Sequence, residues 1–327
     1  MADDELTVLY NPGSFYSQKV ALYLKERNIS FNENIINLAG GETYKPWFLR
    51  INPEGQVPVL KHQGKYIPDS KAIMDYLEKA YDSSPKLLPP TGSDEREKVQ
   101  RLSELISSVE IEVITFGMMI FPHYTQEGHI TGIIARLGRW RASKMGKYGA
   151  GFEKLKAANP DLREAYSKKA AFLSNFVKRF NDEATVKEAL EKAEKVFDEI
   201  EDELRLRDIA GGDWLCGPAM TVADIHLAVL FGRLNFLGLR HRYWENGRRP
   251  NTKAYYLRLK KRDTYRSVCE KAFNPITMML IPMLRAKLPL IIGVSTIVAA
   301  VAVGFHIWRR GDLDLEKLCE KLQFWKN

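Results

Sequence analysis

Apolar positions in the first eighty residues change their period every few residues. The run 6–11 is short and apolar and predicts a strand, 15–27 repeats at helical spacing, and 31–37 alternates as a second strand. A short helix through 47–50 follows. Two strands at 57–61 and 65–68, parted by Gly64 as in a hairpin, lead to a helix over 70–81. The order βαβ-αββα predicts an α/β sandwich on a mixed sheet, occupying residues 1–84. Pro85, Pro89 and Pro90 mark a linker over 85–93.

Beyond it the pattern is helical nearly throughout, predicting an all-helical domain over 94–268. Long helices are expected over 95–121 and 130–147. Leu190, Ala193, Phe197, Ile200 and Leu204 recur at three- and four-residue spacing and define one apolar face. Residues 152–185 have weaker periodicity, reading as helices with an exposed face or as a mobile loop. An amphipathic, Met-rich segment occupies 269–287. Residues 288–308 then read LPLIIGVSTIVAAVAVGFHIW, close to the ~20 residues that cross a bilayer core, with no Asp, Glu, Lys or Arg among them.

Arg285 and Lys287 flank that run on one side, Arg309 and Arg310 on the other, and Trp308 stands where interfacial aromatics settle. A helix apolar all round needs protein on every side unless it lies in a membrane. The expectation is therefore a C-terminal transmembrane helix acting as a tail anchor, followed by a short tail, 309–327. The acidic N-terminus has neither an apolar signal region nor an Arg-rich presequence, so the bulk should face the cytosol. Basic flanks and moderate hydrophobicity favour the mitochondrial outer membrane, with the peroxisome as second address.

Composition adds constraints. With 45% hydrophobic and 28% charged residues, the 327-residue chain is globular. Its net charge of +8 is concentrated: residues 233–266 hold eleven Arg or Lys against Glu245 and Asp263. Such a stretch can lie against anionic lipid or an acidic cytosolic protein, at about 1 kcal/mol per basic residue near a charged leaflet. No nucleic-acid motif accompanies it, so nucleic acid is not an expected partner. Three scattered cysteines indicate a reducing compartment, and Cys216 is expected to be a buried, inert thiol. The six histidines show no ligand spacing, so no metal is expected.

Candidate chemistry gathers at two helix starts and one loop. Ser14 and Ser17 sit where the first strand hands over to a helix, whose free N–H groups can hold an anion or a thiolate. Ser14 can be a cap or a chemical group. Ser17, one turn in, reads as an ordinary surface or capping residue. In Asn52-Pro-Glu-Gly-Gln-Val-Pro-Val-Leu60, Gly55 permits a turn. Pro58 at a strand opening suggests an edge or a cis Val57–Pro58 bond, freeing the Val57 backbone for an extended ligand. Asp69 and Ser70 begin another helix, where they can cap it or grip an ammonium and a carboxylate.

This constellation resembles the glutathione site of the glutathione S-transferases, and Trp214-Leu-Cys-Gly-Pro-Ala-Met-Thr-Val-Ala-Asp-Ile225 is similar to that family's capping-box motif. The resemblance implies an α+β, glutathione S-transferase-like fold: a thioredoxin-like N-terminal domain and an all-α C-terminal domain. It implies glutathione as co-substrate or ligand, held by Val57, Pro58, Asp69 and Ser70 with Lys45 at the glycine carboxylate, and Ser14 as donor to its thiolate. A helical insertion over about 122–187, Phe15–Val20, Pro46–Phe48, Trp244–Asn251 and the terminal span resemble, more narrowly, the ganglioside-induced differentiation-associated protein 1 family. That likeness implies a tail-anchored outer-membrane protein, also seen on peroxisomes, that promotes mitochondrial fission and supports redox balance, with weak or absent transferase activity. Two other readings stay open: an active transferase working through Ser14, and a sensor binding a lipid or electrophile in the helical domain. A homodimer is also left open.

Overall fold

The computed structural model describes residues 5–81, 85–126 and 133–270. The N-terminal half runs β1 (Thr7–Tyr10), α1 (Phe15–Glu26), β2 (Asn32–Ile35), α2 (Pro46–Ile51), β3 (Val59–His62), β4 (Lys65–Pro68) and α3 (Ser70–Ala80). Its sheet is ordered β2-β1-β3-β4, with β1 parallel to β2 and antiparallel to β3, and β3 antiparallel to β4. Leu9 pairs with Val59 and Leu60 with Ile67, so the apolar positions of adjacent strands align across the sheet. This is the predicted α/β sandwich, with strand edges trimmed by one or two residues.

The helical half comprises α4 (Asp94–Ser107), α5 (Ile111–Ile120), α6 (Ile133–Ala158), α7 (Arg163–Asn181), α8 (Glu183–Ala210), α9 (Val222–Phe236), α10 (Arg240–Tyr243), α11 (Pro250–Lys260) and α12 (Asp263–Tyr265). One expectation needs correcting. The helix read over 95–121 is two helices, because the chain turns at Ser108–Glu110, where Ile111 N–H bonds the Val109 carbonyl and a charged helix gives way to an apolar one. Of the two readings of 152–185, the helical one holds; the weak periodicity arises because the inner face of α7 buries both Tyr166 and a lysine, Lys169. The transmembrane segment read at 288–308, the segment 269–287 beyond Glu270, the tail 309–327 and the third cysteine lie outside the described residues. Among the described residues no helix is long and apolar enough to cross a membrane.

One core cluster joins the two halves through α1, α4 and α9. The linker takes part in it: Leu87 is buried, and its carbonyl accepts from Val222 N–H at 2.9 Å. Buried Arg27 ties α1 to the end of α3 by pairing with Glu78 at 2.9 Å and bonding the Leu77 and Tyr81 carbonyls. Thr221 and Asp224 form the predicted capping box at the start of α9. Asp224 is fully buried and accepts from Leu215 N–H and Thr221 N–H at 2.7 Å each, from Thr221 Oγ1 at 2.8 Å and from the Tyr255 hydroxyl.

Those four donors lie in the interior, where water cannot replace the carboxylate, and an unpaired buried donor costs about 1–3 kcal/mol. Asp224→Ala should therefore lower unfolding free energy by at least about 3 kcal/mol in urea titration, while Asp224→Asn retains part of the loss. A change below about 1 kcal/mol would mean the network is dispensable.

Candidate functional site

A cleft of about 520 Å³ opens between the sheet half and the helical half. Its floor is the loop leading into β3. Asn52, buried, shapes that loop by donating through Nδ2 to the Gln56 carbonyl at 2.8 Å and accepting from Glu54 N–H at 3.1 Å. Gly55 has φ 57°, and a Cβ there would stand 3.0 Å from the Thr43 carbonyl and 3.1 Å from Leu49, so a side chain has no room. The Val57–Pro58 bond is cis, and both residues line the cleft. The Val57 backbone N–H and C=O have no hydrogen-bond partner among the described residues.

Asp69 and Ser70 also line it. Asp69, at φ 72°, caps α3 by accepting from Lys71 N–H at 2.9 Å and Ala72 N–H at 3.0 Å through one oxygen, leaving its other oxygen available. Ser70 is 7% exposed, and its hydroxyl has no partner among the described residues. An ammonium and a carboxylate on one carbon fit this pair.

Ser14 caps α1, accepting from Ser17 N–H at 3.4 Å. It is half-buried and is not among the residues lining the cleft, a position taken instead by Tyr16. Ser17 is fully buried rather than at the surface; its hydroxyl accepts from Asn11 N–H at 3.4 Å and so braces the β1–α1 turn. Lys45 precedes α2, exposed and also outside the cleft lining. Cys216 is half-buried; partial burial and the Asp224 carboxylate push its thiol up to about 12, away from reactivity. Among the described residues no group of three or more His, Cys, Asp or Glu could hold a metal ion.

The remaining walls were not anticipated. Glu110 comes from the turn between α4 and α5, Glu112 and Val113 from the first turn of α5, and Phe172, Phe176 and Arg179 from α7. Arg179 pairs with Glu110 at 2.6 Å. Partial burial and the nearby Glu112 carboxylate raise the Tyr16 phenol above its ordinary range. Lys19 lies beneath Tyr16, with Nζ 4.9 Å from the Phe15 ring centre and 5.5 Å from that of Tyr16. Burial lowers it to about 8 against the opposing pull of Glu112 and Asp69. Of the eleven basic residues in 233–266, eight form ion pairs, among them Arg242 with Glu194 and Arg262 with Glu26. Arg233 is buried and donates to the Gly13 carbonyl at 2.7 Å. Much of that charge braces the fold.

The thioredoxin-like sheet half, the all-α half and a cleft floored by a cis-proline loop define a protein of the glutathione transferase fold. Residues 9–85 match the model for the glutathione S-transferase N-terminal domain, and 161–263 that for the C-terminal domain. Among solved structures, the beta-etherase LigF from Sphingobium sp. is similar at a TM-score of 0.59 and 22% identity, covering 81% of this chain and 99% of that one. Glutathione transferase F7 from Populus trichocarpa gives a TM-score of 0.55 at 21% identity, over 82% and 99%. Human ganglioside-induced differentiation-associated protein 1-like 1 is 30% identical over 313 residues, 91% of this chain and 84% of the relative. The glutathione S-transferase TCHQD of Arabidopsis thaliana is 25% identical over 82% and 91%. The chain belongs to the ganglioside-induced differentiation-associated protein 1 family.

His226 of α9 is buried, with Nδ1 3.2 Å from Ser107 Oγ and Nε2 without a partner among the described residues. Burial, then the Lys19 charge, lowers it from 6.5 to about 3. As pH falls through 6.5 the unfolded chain takes up this proton while the native state does not. The native state should therefore lose roughly 1.4 kcal/mol per pH unit from this group. His226→Gln should flatten stability between pH 6 and 4 in urea titrations; an unchanged slope would remove His226 from the acid response.

Proposed function

We propose that this chain is a tail-anchored protein of the mitochondrial outer membrane, its bulk facing the cytosol, that regulates organelle fission and redox balance. In this reading its transferase fold holds glutathione, or a related γ-glutamyl thiol, as a ligand it scarcely activates. One observation carries the view of the cleft. Val57, Asp69 and Ser70 offer groups that suit a peptide, while Glu112 lines the same cavity without the cation that Glu110 has in Arg179, and Ser14 does not line it. A transferase must favour the thiolate over the thiol. A carboxylate within roughly 6 Å, at an effective dielectric of ~20, opposes a thiolate by about 3 kcal/mol, or about two pK units.

Membership of the family and the apolar run 288–308 support the membrane assignment. A scaffold of transferase fold need not turn over substrate to act. Anchored to the membrane, it can report the glutathione pool through the occupancy of its cleft.

Two outcomes follow. In a conjugation assay on the full-length protein, turnover is low and Ser14→Ala leaves it within about twofold; a tenfold loss would assign Ser14 to the chemistry. Deleting 288–308 releases the protein into the cytosol and abolishes its effect on mitochondrial shape when it is expressed in cells. A soluble form that still remodels the network would sink the anchored reading.

A further inference from the structure

Helix α6 turns one face to the fold and the other away from it. Gly138, Ala142 and Phe152 are buried, and Met145, Tyr148 and Leu155 pack with Phe152 in a core shared with α7. At 3.6 residues per turn the opposite face carries Arg136, Trp140, Ser143 and Lys154, with Arg139 at its margin. All five are exposed, Trp140 by 47%.

The charge of that face has one sign. Helix α6 holds seven Lys or Arg against Glu153 alone, and residues 133–181, which make the two inserted helices, hold twelve against three. Each of the three acids is already taken: Glu153 by Lys156, Asp161 by Arg50 and Glu164 by Lys168. Arg139 donates to the Met119 carbonyl at 3.4 Å, and among the described residues no carboxylate forms an ion pair with Arg136, Arg139 or Lys154. Lone lysines without an ion pair occur elsewhere on the surface, as at Lys253 and Lys261; here the cations are aligned along one helix. Helix α8 shows what a solvated face is in this chain, mixing signs in the pairs Lys187–Glu191 and Lys192–Glu188. Like charges on one helix face repel, and an anionic surface relieves that repulsion. With 26 residues, α6 offers a straight line of contact roughly 39 Å long. An indole among cations suits a bilayer surface, where aromatic rings settle at the headgroups and basic side chains meet anionic lipid. An acidic peptide would satisfy the cations but gives the indole no apolar layer to enter.

We propose that this face of α6 lies on the anionic headgroups of the membrane that holds the chain, with Trp140 at the acyl boundary and Arg136, Arg139 and Lys154 on the lipid anions. The proposal rests on the reading that the chain is membrane-anchored, because a tether keeps the face at high effective concentration and lets weak contacts suffice. It moves the expected lipid contact from 233–266, where much of the charge braces the fold, to the insertion.

The test uses the full-length protein reconstituted with vesicles of phosphatidylcholine alone and of phosphatidylcholine with phosphatidylserine, brominated on the upper acyl chain. Trp140 emission is the difference between the wild type and Trp140→Phe. Bromolipid should quench it about twofold more in the anionic vesicles, and high salt should erase the difference. The triple variant Arg136→Glu, Arg139→Glu, Lys154→Glu should lose the difference while still floating with neutral vesicles, and Lys253→Glu with Lys261→Glu should keep it. Equal quenching in the two lipids would overturn the proposal and leave the face to an acidic protein, and a difference that survives the triple reversal would overturn it as well. Protein that floats with anionic but not neutral vesicles, with Trp140 quenched, would defeat the anchored reading and keep the assignment of α6. Protein that floats with neither would end both.

Discussion

The docking of α7 on residues 44–55 decides what the cleft of this molecule can be. Tyr166 donates to the Tyr44 carbonyl at 3.0 Å, Arg50 pairs with Asp161 at 2.9 Å, and Lys169 holds the Glu54 carbonyl. Leu49, Phe152, Leu162, Tyr166 and Leu173 bury one another in a separate core cluster beneath these contacts. The exposed Arg50 pair contributes little, in the range of 0–1 kcal/mol. The buried rings carry most of the attachment, since each large side chain removed from water contributes about 1.5–3 kcal/mol. An insertion fastened in this way is a structural wall of the site.

From that wall the electrostatics follow. Helix α7 brings Arg179 to Glu110, which neutralises one carboxylate and leaves the Glu112 charge acting on Tyr16. The turn at Ser108–Glu110 points the start of α5 at the cavity, so acidic groups meet a cleft whose peptide-holding floor is of transferase type. Backbone at Val57 and the polar pair at the start of α3 can hold a peptide, while Glu112, the Arg179-paired Glu110 and a phenol whose proton is held more tightly than usual line the same cavity. The Asp224 network stands apart from this chemistry and ties the start of α9 to Leu215 and to Tyr255 of α11, while Arg233 of α9 donates to the Gly13 carbonyl ahead of α1.

Much of the fold was legible from local signals. Period changes located the strands and α-helices of the sheet half to within two residues, Pro58 indicated an edge or a cis bond, and Thr221 with Asp224 announced a helix start. The break between α4 and α5 was not legible, because Ser107–Glu110 contains neither glycine nor proline and only tertiary packing selects the turn. Nor was the α7 wall: Phe172, Phe176 and Arg179 lie over a hundred positions from the floor they face, and no spacing rule spans that separation. A weak signal did exist for Lys169, which interrupts an apolar stripe three residues after Tyr166 and four before Leu173. A lysine inside such a stripe asks for a partner. Ser14 shows the reverse case, where a strong motif position is occupied but the cavity is lined by its neighbour Tyr16.

We propose that this cleft holds a γ-glutamyl thiol without raising its acidity. This is tested most directly by titrating the thiol of glutathione bound to the full-length protein, following thiolate absorbance against pH. The account predicts a bound pKa at or above the free thiol value near ~8.5. A bound pKa lowered by one unit or more, equivalent to about 1.4 kcal/mol of preferential thiolate binding, would contradict it and return Ser14 to the chemistry.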